Sequence, residues 1–397
     1  MTLRAYKYRL YPTVSQQNQL NQTFGSVRFV WNKLVDNFNN KSCKLNEKIL
    51  KDDPEYFWLK DSISYALQQK RMDFDETKKQ FFNKKRKLKL GRMKFKKKGV
   101  AKDSFRLPGQ SLRFNTCIDF KNSKIRIPKI GKLKIIIDRE FYGNLKSVTI
   151  SKNKTNQYYV SILVEENIYW KQDTGKSVGI DLGLNHLLTL SDGAKIDNPR
   201  WFRENQTKLK RAQQHLSRKI KGSNRYTDQK LKVAKIHQKI ANQRTWFLHD
   251  ISSKLVNEYD HILMEDLNVA GMVKNHCLAK SISDASLSKL VTMLNYKCSW
   301  YGRIFHKVDR FYPSSKTCSS CGYKVDQIPL DIREWICPEC GVTHDRDVNA
   351  AKNIENKGLM DLYNLESDEL ADYRRGEAVR PGACSVQASS LKRQVTI

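Results

Sequence analysis

No apolar run in the sequence approaches the ~18 residues that a bilayer-spanning helix needs, which excludes such a helix. The opening stretch, Met1-Thr-Leu-Arg-Ala-Tyr-Lys-Tyr-Arg9, carries charges where a signal peptide requires apolar residues. A cytoplasmic protein with no membrane partner is therefore expected. Internal repeats are absent, which excludes a solenoid. Acidic residues are scarce: 41 Asp plus Glu face 73 Lys plus Arg, a formal net charge of +32. An excess that large repels itself unless a polyanion neutralises it, and nucleic acid or an anionic membrane surface are the natural partners.

What is present fills two or three domains in 397 residues. Residues 2–11 alternate apolar and basic and read as a strand with a basic outer side. Behind a cap at Thr13 or Ser15, residues 15–40 place Leu20, Phe24, Val27, Val30, Trp31, Leu34 and Phe38 on one helical stripe, expected in the core. A second helical region is expected near 59–88. From 104 to 165 short alternating strands imply a small β-barrel that also takes in the N-terminal strand, with Thr174-Gly-Lys as its boundary. Beyond it come a hairpin at 178–190, helices at about 203–221 and 225–258, a strand at 261–265, a helix near 284–301, a strand near 303–309 and a helix from 347 to about 357.

Three acids stand at element ends in this second half. Asp181 in Val178-Gly-Ile-Asp-Leu shares a strand face with Gly179 and Gly183, whose missing side chains would let a metal and a phosphate approach. Glu265 ends an apolar strand. In Asp345-Arg-Asp347-Val-Asn-Ala-Ala351, Asp347 stands three, four and seven residues before Ala350, Ala351 and Ile354, on the face that packs inward, while Asp345 suits an N-cap. Carboxylates from distant elements suit Mg²⁺ or Mn²⁺, and two such ions roughly 3.5–4 Å apart assist in-line phosphodiester displacement. Asp266 and Asp192 read as a strand-end and a turn residue.

Cys318-Ser-Ser-Cys321-Gly322 and Cys337-Pro-Glu-Cys340-Gly341 match the spacing of a four-thiolate, structural Zn²⁺ site, inserted between Glu265 and Asp347. Cys43, Cys117, Cys277, Cys298 and Cys384 lack such spacing. Lys84, Lys85, Arg86, Lys87, Lys89, Arg92, Lys94, Lys96, Lys97 and Lys98 form a run suited to the backbone of nucleic acid rather than to reading its sequence. His186, His261 and His344 do not pair at metal-ligand spacing, and no Tyr/His-His constellation of single-strand transposases is present.

Together Gly179-Ile-Asp-Leu-Gly183, Met264-Glu-Asp-Leu267, Tyr312-Pro-Ser-Ser-Lys-Thr-Cys-Ser-Ser-Cys-Gly322 and Asp345-Arg-Asp-Val-Asn-Ala-Ala-Lys-Asn-Ile354 resemble the TnpB family of bacterial insertion sequences. Tyr8-Arg-Leu-Tyr-Pro12 and Gly91-Arg-Met-Lys-Phe-Lys-Lys-Lys98 extend the resemblance to the N-terminus. It implies an α/β multidomain chain: a RuvC-like (RNase H) nuclease, related to type V CRISPR effectors, at 175–317 and 341–358, with a helical insertion at about 203–258 and a zinc ribbon at 318–340. A wedge-type β-barrel would occupy 1–12 and 91–174, a helical recognition insertion 13–90, and a disordered tail 359–397. The resemblance further implies a guide RNA from the transposon end and cleavage of double-stranded DNA, with a displaced single strand, beside a short flank motif. Asp181, Glu265 and Asp347 would be its catalytic acids. The alternative is an RNA-bound DNA-binding regulator or transposition accessory factor without cleavage.

Overall fold

A computed structural model describes residues 2–40, 45–83, 93–112, 117–329 and 331–364. The chain divides between Asn167 and Ile168 into two compact units.

In the first unit, β1 (Thr2–Tyr11) leads through Thr13 into α1 (Val14–Asn39). Thr13 closes a reciprocal cap: its hydroxyl accepts from the Gln16 amide at 3.4 Å, and its own amide donates to the Gln16 side chain at 3.0 Å. The inward stripe of α1, from Leu20 through Phe24, Val27, Val30 and Trp31 to Leu34, is buried as its spacing predicts. Emptying one such site, as in Phe24→Ala, costs about 3–5 kcal/mol. A short α2 (Glu47–Asp52), a 3₁₀ segment (Pro54–Asp61) and α3 (Ser64–Phe82) follow, so the helical region expected near 59–88 is broken at Ser62 and Ile63.

The strands β2 (Asp103–Pro108), β3 (Ile118–Asp119), β4 (Lys124–Ile127), β5 (Gly131–Ile136), β6 (Asn144–Lys152) and β7 (Tyr158–Glu166) complete an antiparallel sheet of order β2-β6-β7-β1-β5-β4-β3. The N-terminal strand thus lies mid-sheet, paired with β7 from Thr2↔Glu166 to Leu10↔Tyr158 and with β5. Tyr6, Tyr8 and Leu10 face the core while Lys7 is exposed. A closed barrel is not what the ladders describe: among the described residues no pairing joins the edge strands β2 and β3.

The second unit begins at Ile168, a few residues before the expected boundary at Thr174-Gly-Lys, and the boundary residues themselves are fastened to it. The Thr174 and Gly175 amides donate to the Asp260 carboxylate at 2.8 and 2.7 Å. The fully buried Arg303 pairs with Asp260 at 2.6 Å and donates to the Gln172 carbonyl at 2.8 Å. These bonds tie 172–175 to the second core, which places the division earlier in the chain.

This unit comprises β8 (Ser177–Leu182), β9 (His186–Leu190), β10 (Lys195–Asp197), α4 (Trp201–Ser217), α5 (Asn224–Glu258), β11 (His261–Glu265), α6 (Val269–Met272), α7 (His276–Ala285), α8 (Leu287–Tyr301), β12 (Ile304–Val308), β13 (Glu334–Ile336), β14 (Thr343–Asp345) and α9 (Arg346–Tyr363). The helix expected near 284–301 is α8, and a left-handed Ser286 (φ 55°) separates it from α7, which the spacing did not announce. Five strands form a sheet of order β10-β9-β8-β11-β12, antiparallel across the β8–β9–β10 hairpins and parallel across β8, β11 and β12. Side-chain alternation splits its core in two. Val178, Ile180, Ile262 and Met264 pack with Leu248, Ile251, Leu290 and Leu294 of α5 and α8, whereas Leu263, Ile304 and Val308 pack with Ile354 and Leu362 of α9. Leu362 docking carries α9 to Tyr363, past the expected end near 357, so 359–364 is helix end rather than tail; 365–397 lie outside the described residues.

Candidate functional site

The register of two parallel strands creates the site. The β8–β11 ladder ends at the pair Ile180↔Met264, so Asp181 and Glu265 each follow one residue later, side by side at the same sheet edge. Helix α9 lies over the face that carries Gly179. A side chain there would meet the Ala351 carbonyl at 2.0 Å and the Glu355 amide at 2.6 Å, so only glycine admits the helix. Two residues on, Asp181 shares that face; four residues before Ala351, Asp347 stands one helical turn nearer the N-terminus of α9. The glycines therefore serve packing rather than ligand access: Gly183 likewise makes room for the His186 carbonyl, at 2.5 Å.

Electrostatics report the convergence. Burial, then the nearby charges of Asp347 and Glu265, push the Asp181 carboxyl up to about 7. Burial also raises Glu265, with Arg310 opposing. Asp347 accepts from Arg333 at 3.3 Å. Asp345 is differently engaged: it caps α9, accepting from the Val348 amide at 3.0 Å, and pairs with Lys195 at 2.5 Å. Burial raises its carboxyl, but Lys195 and the amides outweigh that and leave it low. Asp266 forms ion pairs with Lys307 and Arg310, which lower it, and Asp192 accepts from the Tyr259 hydroxyl at 2.8 Å. Two carboxylates whose charges act on a third, half-buried one form a cluster that a divalent cation would neutralise, and all-oxygen donors suit magnesium or manganese.

The second cluster is local. The sulfurs of Cys318, Cys321, Cys337 and Cys340 all lie within 4.8 Å of one another. Cys318–Cys340 and Cys321–Cys337 measure 3.7 and 3.6 Å. A tetrahedral thiolate site with bonds of ~2.3 Å spaces its sulfurs by ~3.8 Å, so the donors fit one ion. Each knuckle turns on a left-handed glycine, Gly322 (φ 79°) and Gly341 (φ 71°), whose amide donates to the first cysteine's carbonyl at 2.9 Å. His344 Nε2 sits 3.0 Å from the Cys318 sulfur, a hydrogen-bonding neighbour. Two buried α9 side chains clasp this ribbon: Asn349 accepts from the Ser319 amide at 2.9 Å and donates to the Thr317 carbonyl at 2.7 Å, and Asn353 donates to the Ser314 carbonyl at 2.7 Å. The helix that presents Asp347 is thus held by the ribbon.

Of the basic run, Lys84, Lys85, Arg86, Lys87, Lys89 and Arg92 lie outside the described residues, as do Cys43 and Cys384. Lys94, Lys97 and Lys98 are exposed. Lys96 places its ammonium 3.7 Å from the Trp31 ring centre, and burial with Lys70 nearby lowers its pKa to about 8. Sequence spacing missed Lys307, Arg310 and Arg333, the cations around the acids; only the fold brings them there.

Comparison with known proteins adds lineage. Residues 159–276 match the IS605 OrfB family, described as "Probable transposase". Residues 288–354, spanning the four cysteines and Asp347, match a Cas12f1-like TNB domain. Residues 1–40 match a family described as a helix-turn-helix domain, although here they form a strand and one helix. A Streptomyces pristinaespiralis protein named "Putative RNA-guided DNA endonuclease" is 37% identical over 97% of this chain and 95% of its own length. InsQ of Escherichia coli K12, similarly named, is 33% identical over 89% of this chain and 91% of its own. TnpB-like protein L79 of Acanthamoeba polyphaga mimivirus is 33% identical over 33% of this chain and 26% of its own. A solved Cas12f1–sgRNA–target DNA complex aligns at 15% identity over 90% of this chain and 99% of that one, at a TM-score of 0.35, too low to bear on the fold. With two relatives above 30% identity along nearly its whole length, the chain belongs to the IS605 OrfB family, the TnpB proteins.

Proposed function

We propose that this chain is an RNA-guided DNA endonuclease of a transposable element, with Asp181, Glu265 and Asp347 as its catalytic carboxylates. The observation that carries the reading is the β8–β11 register, which sets Asp181 beside Glu265 under the helix that bears Asp347. A hairpin followed by parallel strands, with helices on both faces, is the order expected of a RuvC or RNase H-like nuclease. In this reading the sheet of the first unit is the wedge domain and α1–α3 its helical insertion, gripping a guide RNA from the transposon end and reading a short flank motif. The four thiolates would hold structural zinc.

The three carboxylates would hold magnesium or manganese, which supplies water activation and stabilises the departing oxygen. The chain's own part is placement. Two rigid neighbouring strands fix Asp181 and Glu265, and ribbon-held α9 fixes Asp347. Lys307 and Arg310, beside Glu265, offer cationic hydrogen bonds to phosphate oxygens. Guide pairing carries target sequence while the +32 charge contacts backbones.

The test uses the protein with its copurified RNA and a plasmid carrying the matching target. Asp181→Ala should reduce magnesium-dependent cleavage at least ~100-fold, because several kcal/mol of transition-state stabilisation depend on the metal. RNA binding should persist. Unchanged cleavage would refute the assignment, and no cleavage by the wild type would favour a binding-only regulator.

A further inference from the structure

Beyond the acids, the same sheet edge carries an aromatic group that the fold leaves bare. Phe311 is 85% exposed, more than any buried-face role allows. It sits in the turn after β12, where its amide donates to the Asp309 side chain at 2.8 Å. Its neighbour Tyr312 packs inward on the cluster of Val308, Ile354 and Leu362, which anchors the turn and leaves Phe311 pointing away from that core. Its exposed apolar surface would gain free energy if a stacked base covered it.

Two cavities flank this feature. One, of about 290 Å³, is lined by Glu265, Asn268, Ser288, Lys307 and Arg310 among others. The second, of about 650 Å³, is lined by His306, Lys307, Arg310 and Phe311 and also by Asp266, Asp309 and Asp361. They share Lys307 and Arg310, whose charges are held in the meantime by Asp266 at 3.0 and 2.5 Å. From Glu265 outward the groups run carboxylate, cation pair, aromatic face, with Asp266, Asp309 and Asp361 beside the cations, so a phosphate must displace Asp266 from Lys307 and Arg310. That alternation matches a single nucleic-acid strand, which offers a phosphate to the cations and an unstacked base to the ring. A duplex offers no free base face, which excludes it at Phe311.

We propose that Phe311, with Lys307 and Arg310, is a landing platform that stacks one base of a single DNA strand and so positions the adjoining phosphates toward Glu265. The platform rests on the nuclease reading for its purpose but not for its detection. Phe311 is a substrate-positioning residue; it takes no part in bond breaking.

The experiment uses the full chain with its copurified RNA, without divalent metal, and short single-stranded DNA containing 2-aminopurine. Stacking on Phe311 should quench that base, and Phe311→Ala should abolish the quench and weaken binding about tenfold. Phe311→Trp should restore both, which separates lost stacking from misfolding. Cleavage of an unpaired substrate by Phe311→Ala, measured with magnesium, should show a raised KM and a largely retained kcat. Wild-type quenching and affinity in Phe311→Ala would overturn the platform, as would failure of Phe311→Trp to rescue. Preference for an RNA oligonucleotide of the same sequence would overturn the DNA assignment. The nuclease reading fails separately: if the wild type quenches 2-aminopurine yet never cuts, the platform stands and the catalytic assignment falls.

Discussion

The two clusters of the second unit differ in how their geometry is made. Among the described residues, the four cysteines are the group of potential metal ligands whose donor atoms all lie within 4.8 Å of one another. Their closeness comes from two four-residue knuckles, each enforced by its own glycine and amide bonds. The acids come from three elements far apart in sequence, and their closeness is a product of sheet register and helix packing. A site made locally is preassembled; a site made by tertiary packing keeps like charges near one another at a cost that a cation would relieve. The first arrangement suits structure, the second chemistry. They are joined by Asn349 and Asn353, which hold the acid-bearing helix on the ribbon.

The sharpest way to break the contrast is to remove the thiolates. Cys318→Ser with Cys337→Ser should eliminate bound zinc and unfold the ribbon, because structural zinc contributes about 10 kcal/mol or more of local folding free energy. Metal analysis and limited proteolysis between 318 and 345 would show it. A ribbon that resists protease without zinc would make the sulfurs' closeness incidental.

Gly179→Ala tests the tertiary half. A methyl group 2.0 Å from the Ala351 carbonyl must push α9 outward, costing about 1–3 kcal/mol or more by overpacking. Cleavage should fall further than stability predicts, since Asp347 moves with the helix. Equal losses in denaturant midpoint and activity would mean that α9 does not set the site.

The smallest effect is a pH dependence. Asp181 has its carboxyl raised from 3.8 to about 7. Between those values the folded chain keeps a proton that the unfolded chain has lost, so metal-free stability should fall as pH rises from about 4 to about 7. After allowance for partial solvent exposure, the span is about 2 kcal/mol. Urea titrations in chelator should show this slope in the wild type and lose most of it in Asp181→Asn. An identical slope in both would place the repulsion elsewhere.

Local rules were legible in the sequence. The caps at Thr13 and Asp345, the stripe of α1, the strand 261–265 and the knuckle glycines all follow from interactions within a few residues. The three acids were legible as candidates because Asp181 and Glu265 stand near the ends of apolar strands and Asp347 opens a helix with an apolar face. The glycines flanking Asp181 were misread, since a close helix crossing and a close ligand leave the same mark in sequence. Lys307, Arg310 and Arg333 were invisible because nothing in their neighbourhood says that they approach an acid. The split at Ser286 has no glycine to announce it, and the continuation of α9 to Tyr363 depends on Leu362 finding the sheet.

The central claim is that Asp181, Glu265 and Asp347 form one cation site. Titration of Mn²⁺ into zinc-loaded protein, followed by electron paramagnetic resonance, tests it without any guide or target. The account predicts saturable binding in the wild type, lost or weakened about tenfold or more in each of Asp181→Asn, Glu265→Gln and Asp347→Asn. Binding that survives all three substitutions unchanged would contradict it.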